Sequence, residues 1–204
     1  MRILFQGDSV TDACRDRSNP HDLGPGYPRF AAEAVCKQFP ELEPEFLNLG
    51  ISGERTIDLL KRWQEDCIDL QPDVFSLLIG INDMWRRFDG ANSPTLAPQF
   101  EDNYRQLLEA VRTKTQAKII LLEPFLISVN PVQDTWRFDL DEKIQVVRRL
   151  AQEYADAYVP LDGLFAAHCV EHEPTYWTED GVHPNENGAR LIGQYYAEAF
   201  ARIL

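Results

Sequence analysis

Ser9, near the start of the 204-residue chain, and His183, near its end, are of the types that make a nucleophile and its base. Ser9 lies in Gly7-Asp8-Ser9-Val10-Thr11. A hydroxyl is a weak nucleophile until a base takes its proton. His183 lies in Asp180-Gly181-Val182-His183-Pro184, three positions after an aspartate. At that spacing the carboxylate can meet the ring Nδ1 across one tight turn, hold the tautomer and leave Nε2 as the base. Two further blocks offer hydrogen-bond donors. In Asn48-Leu49-Gly50-Ile51-Ser52-Gly53 a glycine lets a backbone N–H come close to a ligand. In Gly80-Ile81-Asn82-Asp83 the Asn82 amide can donate into the same pocket. Taken singly, each block also has a plainer reading: a capped turn at Ser9, a Gly-rich turn into a helix, an Asx turn at Asn82, a surface histidine beside a helix cap. The four together, in this order, are far more specific than any one.

These blocks need a frame to bring them together. Apolar runs predict strands at residues 2–6, 45–48, 74–79, 117–123 and 158–161. Helical patterning covers residues 27–39, 56–63, 98–114, 139–157 and 186–203. In the third of these, Phe100, Tyr104, Leu107, Leu108 and Val111 recur at helical spacing. Strands and helices alternate, which predicts a mainly parallel α/β sheet with helices on both faces. Reactive residues in such sheets sit on loops beyond the carboxyl ends of the strands. Three of the blocks fall at strand ends, and the fourth falls just before the last helix. No repeat or Pro/Gly/Ser linker divides the chain, so a single domain over residues 1–204 is expected.

Composition narrows the partners. With 20 basic and 33 acidic side chains the net charge is −13, and no basic run offsets it. Such a surface repels nucleic acid and anionic lipid, so neither is an expected partner. No apolar stretch approaches the ~20 residues of a membrane span. The apolar run of residues 2–6 is too short for a signal-peptide core, and Asp8 ends it. Cys14, Cys36, Cys67 and Cys169 lack CxxC spacing, which favours reduced thiols and a cytoplasmic protein. His21, His168, His172 and His183 show no ligand spacing, so no metal or cofactor is expected.

The four blocks resemble those of the SGNH hydrolase superfamily, also called the GDSL esterases and lipases, and the resemblance runs over nearly the whole chain. It implies a flavodoxin-like three-layer α/β/α sandwich with a five-stranded parallel sheet. It implies Ser9 as nucleophile, His183 as general base and then general acid, and Asp180 orienting His183. It also implies an oxyanion hole made of the backbone N–H groups of Ser9 and Gly53 with the side-chain amide of Asn82. Within the superfamily, Gly80-Ile81-Asn82-Asp83-Met84-Trp85-Arg86-Arg87-Phe88-Asp89 and Glu123-Pro124-Phe125 are similar to segments of intracellular bacterial acetylxylan and xylo-oligosaccharide esterases. That similarity implies acetyl esters of short xylose chains as substrate, and a homo-oligomer.

Aromatic rings suit the apolar C–H face of a sugar. Trp85, after the Asn82 block, and Trp177, before Asp180, are therefore candidate substrate contacts, together with Asp8 beside Ser9. The polar loop of residues 11–26 is expected to form one wall of the pocket. A lysophospholipase or acyl-thioesterase is the rival enzyme. A flavodoxin-like ligand-binding or signalling module is the rival outside catalysis, although residues 7–12 fit a phosphate-cradling loop poorly.

Overall fold

The computed structural model describes residues 1–90 and 92–204. Its centre is an all-parallel sheet of β1 (Arg2–Gly7), β2 (Glu45–Asn48), β3 (Val74–Leu78), β4 (Lys118–Leu122) and β5 (Ala157–Val159). The strand order is β2-β1-β3-β4-β5. In register, Phe5 of β1 lies opposite Asn48 of β2 and Ser76 of β3. Side chains of a strand alternate between faces. Ile3, Phe5, Ile120 and Leu122 accordingly join one core, and Leu4, Phe75, Leu77, Ile119 and Leu121 join another. A strand buried on both faces has no polar side to show, which is why these runs read as continuously apolar.

Helices cover each face. On the first face lie α2 (Tyr27–Gln38), α8 (Leu161–His168) and α9 (Glu186–Ala201). On the second lie α3 (Thr56–Trp63), α5 (Ala97–Lys114) and α7 (Arg137–Tyr154). Phe100, Tyr104, Leu107, Leu108 and Val111 of α5 are all fully buried, as their spacing requires. Single-turn helices follow two strands directly: α1 (Ser9–Asp12) after β1 and α4 (Ile81–Trp85) after β3. A third short one, α6 (Pro131–Asp134), precedes α7. The expected α/β/α sandwich with its five-stranded parallel sheet is what the structure shows.

The differences from expectation lie at boundaries and in short elements. The helix expected over residues 139–157 ends at Tyr154, and β5 starts at Ala157. Asp156 is captured by the sheet: its N–H donates to the Ile119 carbonyl and its carboxylate accepts from the Ile119 N–H, each at 2.8 Å. That pairing outweighs one more helical turn. The turns α1, α4 and α6 are too short to display a period. Among the described residues, no helix is long and apolar enough to cross a membrane.

The order β2-β1-β3 puts the first strand between its two successors. Connections from β1 and β3 therefore leave on opposite faces, and a crevice opens between the carboxyl ends of those strands. Ser9, Gly53 and Asn82 all follow strands into this crevice.

Candidate active site

Ser9 is the first residue of α1, directly beyond β1. Asp8 starts that turn by accepting a hydrogen bond from the Val10 N–H at 3.0 Å. The turn holds the half-buried Ser9 side chain at the crevice, with Oγ 2.8 Å from His183 Nε2. The two residues are 174 positions apart in sequence.

His183 is aimed by its own loop. Its Nδ1 is 2.6 Å from Asp180 Oδ2, which fixes Nδ1 as the protonated nitrogen and leaves Nε2 as an acceptor. Asp180 Oδ1 accepts from the backbone N–H groups of His183 at 2.7 Å and Val182 at 2.9 Å. Burial raises the Asp180 pKa, but the hydrogen bonds from His183 and Val182 outweigh it, and the carboxyl sits below its ordinary value. Thr178 spans the same loop, accepting from the Gly181 N–H and donating to the His183 carbonyl. Gln133 of α6 donates to the Asp180 carbonyl at 2.6 Å. Gly181 has φ +88°, and a Cβ on it would come within 2.6 Å of the Gln133 amide. The loop can pass so close to α6 only with glycine there.

The donor side is built from two loops. Asn82 is buried, and its amide donates one hydrogen to the Glu54 carbonyl at 3.0 Å. A carboxamide nitrogen carries a second hydrogen. The N–H groups of Ser9 and Gly53 find no acceptor among the described residues. Gly53 has φ +85°, a conformation most side chains resist. Three ties from α4 and the residue that ends it hold this loop. Asn82 holds Glu54, Arg86 donates to the Gly53 carbonyl at 3.0 Å, and Asp83 accepts from the Thr56 N–H and hydroxyl at 3.1 and 2.8 Å. A fourth tie comes from α1, where Asp12 accepts from the Ser52 N–H at 2.9 Å. Burial pushes the Asp83 carboxyl up to about 6. It also pushes Asp8 up to about 7, helped by the nearby charges of Asp83 and Glu54.

A cavity of about 430 Å³ opens at Ser9 and His183. Its wall is largely apolar, from Val10, Ala13, Tyr27, Phe30 and Ala189. Ala13, Cys14, Pro25 and Gly26 bring the polar loop of residues 11–26 into that wall, as expected. Trp85 is half-buried with its ring 6.0 Å from the His183 ring, so this candidate does reach the site.

The structure does not bring Asp8 or Trp177 there. Asp8 is 1% exposed and its carboxylate turns back to its own helix turn, so the expected substrate contact gives way to a cap. Trp177 is 6% exposed, packed against the rings of Phe165, His168, His172 and Tyr176. Its carbonyl accepts from the Asn185 N–H at the start of α9, so it supports the His183 loop from behind. The residues missed from sequence are Gln133, Asp12 and Trp136. Gln133 lies 47 positions from Asp180, and no local pattern marks it. Among the described residues, no cluster of His, Cys, Asp and Glu could hold a metal ion.

The arrangement couples a hydroxyl to a base and the base to a carboxylate, with three further donors, the N–H groups of Ser9 and Gly53 and the Asn82 amide, on the segments that follow β1, β2 and β3. That is the equipment for adding an oxygen nucleophile to a carbonyl group. The sequence pattern of the GDSL-like lipase/acylhydrolase family matches residues 5–191. An acetylxylan esterase of Geobacillus stearothermophilus is 34% identical over 98% of this chain and 92% of its own. A crystal structure of that organism's esterase Axe2 superposes with a TM-score of 0.86 at 32% identity, covering 99% of this chain and 93% of its own. Two further structures of it are catalytic mutants, one of a serine and one of a histidine, each replaced by alanine. A GDSL-like protein of Parabacteroides merdae superposes with a TM-score of 0.93 at 34% identity, covering 98% of this chain and 95% of its own.

Proposed function

The chain belongs to the GDSL-like lipase/acylhydrolase family and is a carboxylic ester hydrolase, and from that premise we propose that it removes acetyl groups from short xylose chains through Ser9, His183 and Asp180. The observation that carries the proposal is the unbroken line Ser9 Oγ to His183 Nε2, 2.8 Å, and His183 Nδ1 to Asp180 Oδ2, 2.6 Å.

The reaction proceeds in two halves. His183 Nε2 takes the Ser9 hydroxyl proton as Oγ adds to the ester carbonyl carbon. Negative charge gathers on the carbonyl oxygen, and the N–H groups of Ser9 and Gly53 with the free hydrogen of the Asn82 amide stabilise it. Asp180 stabilises the imidazolium. The imidazolium then gives its proton to the sugar oxygen as the C–O bond breaks, leaving Ser9 acetylated. In the second half His183 takes a proton from water, the hydroxide oxygen adds to the acetyl carbon, and acetate leaves as Oγ regains its proton. The partner is a small-molecule ester, and the chemistry needs no metal.

Relatives acting on acetylated xylan support the substrate class. One observation favours a second reading, hydrolysis of a longer acyl ester: the cavity of about 430 Å³ has more room than an acetyl group needs. The test sets acetate release from acetylated xylo-oligosaccharides beside hydrolysis of a lysophospholipid and a chain-length series of nitrophenyl esters. A preference for acetyl over eight carbons or more is expected. A preference for the long chain, with no acetate release from the sugars, overturns the acetyl-xylose reading in favour of the longer acyl ester.

A further inference from the structure

The cavity at Ser9 is walled by α1, α2 and the start of α9. A second surface leaves the same histidine in another direction, and it is built on the opposite face of the sheet from α4, α7 and the residues flanking them. It is a row of aromatic rings. Trp85 lies 6.0 Å from the His183 ring, and Trp136 lies 5.9 Å from Trp85. Phe88 stacks on Trp136 at 5.4 Å with 19° between planes, and Phe138 meets the edge of Phe88 at 6.0 Å. The inner three are half-buried on a small apolar cluster of Ile81, Met84, Leu126, Leu140, Ile144 and Val182. Phe138 is 61% exposed.

The foundation of this row is tied down by paired charges. Arg87 sits over the Phe138 ring at 5.4 Å while its Nε bonds Asp139 at 2.9 Å. Asp139 is 2% exposed and also pairs with the fully buried Lys143 at 2.5 Å. A buried pair of this kind persists because both charges are satisfied, and it fixes the position of whatever it carries. Here it carries the outermost ring.

The chemistry of the site assigns one side of the ester to this row. The imidazolium must reach the leaving oxygen to protonate it, so the alcohol starts at His183. Trp85, whose ring lies tilted 6.0 Å from that imidazole, is the first of the row. Rings with exposed edges and faces suit the apolar C–H faces of pyranoses, while the hydroxyl rims stay in water.

Resting on the function proposed above, we infer that Trp85, Trp136, Phe88 and Phe138 form an extended subsite for the sugar chain on the alcohol side. The enzyme's substrate is then an acetylated oligosaccharide of several xylose units, with Phe138 holding a unit remote from the ester. Acetylated single sugars bind without the outer rungs and are poorer substrates.

The test compares kcat/KM on acetylated xylose with kcat/KM on acetylated xylotetraose, for wild type and for Phe138→Ala. Phe138 is exposed, so the substitution leaves the core intact. Wild type is expected to favour the tetraose, and Phe138→Ala is expected to lower the tetraose-to-xylose ratio about three- to tenfold, chiefly through KM. An unchanged ratio, or a wild type that treats both sugars alike, overturns the subsite and leaves the sugar-esterase function standing. Wild type that cleaves nitrophenyl acetate but neither acetylated sugar overturns the function and the subsite together. Molecular mass by light scattering adds a third outcome. A fall in mass for Phe138→Ala with unchanged kinetics makes the row an interface between copies and overturns the subsite.

Discussion

The two halves of the proposed catalytic centre are built differently. The donor half is tied from several sides and partly buried: Asn82 is 4% exposed, Asp83 is fully buried, Gly53 is half-buried, and its loop is held from α1 and from Arg86 at the end of α4. The acid–base half is open. The His183 and Asp180 side chains are 42% and 48% exposed, and most of their hydrogen bonds stay within one short loop. The difference fits the tasks proposed for the two halves. Donors that stabilise a transient oxyanion work by being in place before the charge appears, so they gain from rigidity and dry surroundings. A base that must pass protons among a hydroxyl, an alcohol and a water needs access to solvent. On the proposed mechanism, hydrogen-bond ties are concentrated where charge develops, and exposure where protons and products move.

Four changes break or sharpen this contrast. Ser9→Ala removes the group both halves serve, and turnover should fall by about 10⁴-fold or more. Hydrolysis of nitrophenyl acetate by the purified variant, with circular dichroism to establish folding, checks it. Wild-type turnover in a folded Ser9→Ala protein refutes the serine mechanism.

Asn82→Ala removes one donor. A loss of about 3 kcal/mol, roughly a hundredfold or more in kcat, is expected with little change in Tm. Steady-state kinetics and a melting curve measure the two independently.

Arg86 touches no reacting atom and acts through the Gly53 carbonyl. Arg86→Met should lower kcat by about tenfold with KM held, since it loosens a donor and removes no substrate contact. Arg86→Lys keeps a cationic donor and should recover part of the loss. An equal fall in both variants, or a change carried by KM, removes Arg86 from the donor half.

The smallest effect is on stability against pH, and its sign differs between the halves. Burial holds Asp8 near 7 and Asp83 near 6, above their ordinary value of 3.8. Between pH 4 and 7 the folded chain therefore binds more protons than the unfolded one, so stability falls as pH rises and levels off above 7. Asp180 is shifted down. Its contribution is present above the ordinary value and is lost as pH falls through its folded value. A Tm series from pH 4 to 8 should decline to about pH 7 and then level off in wild type, and decline less steeply in Asp8→Asn, where Asp83 still titrates. A rising Tm over pH 4 to 7 contradicts the assignment.

The strands were legible from sequence because they are buried on both faces; β2 begins and ends where the apolar pattern placed it, and α3 begins where the pattern placed it. The end of α7 was not, because Asp156 belongs to the sheet through a partner 37 positions away. Ser9, Asp180, His183, Gly53 and Asn82 were each visible as residues in short blocks, and the structure joins Ser9, His183 and Asp180 in one hydrogen-bonded line and seats Gly53 and Asn82 on the segments after β2 and β3. Asp8 and Trp177 lay beside those blocks and looked equally chemical. Only burial shows that one caps a turn and the other props a loop. Gln133 and Trp136 had no local signature, because each contributes through a contact with a residue far along the chain.

By itself the sequence determined the alternation of elements and singled out the candidate reacting groups, since hydrophobic period and residue chemistry are local properties. The tertiary structure decided which neighbours face the site, how each donor loop is tied, and where the aromatic row runs. Those depend on distances between segments remote in sequence, and such distances are set only when the sheet order places β1 between β2 and β3.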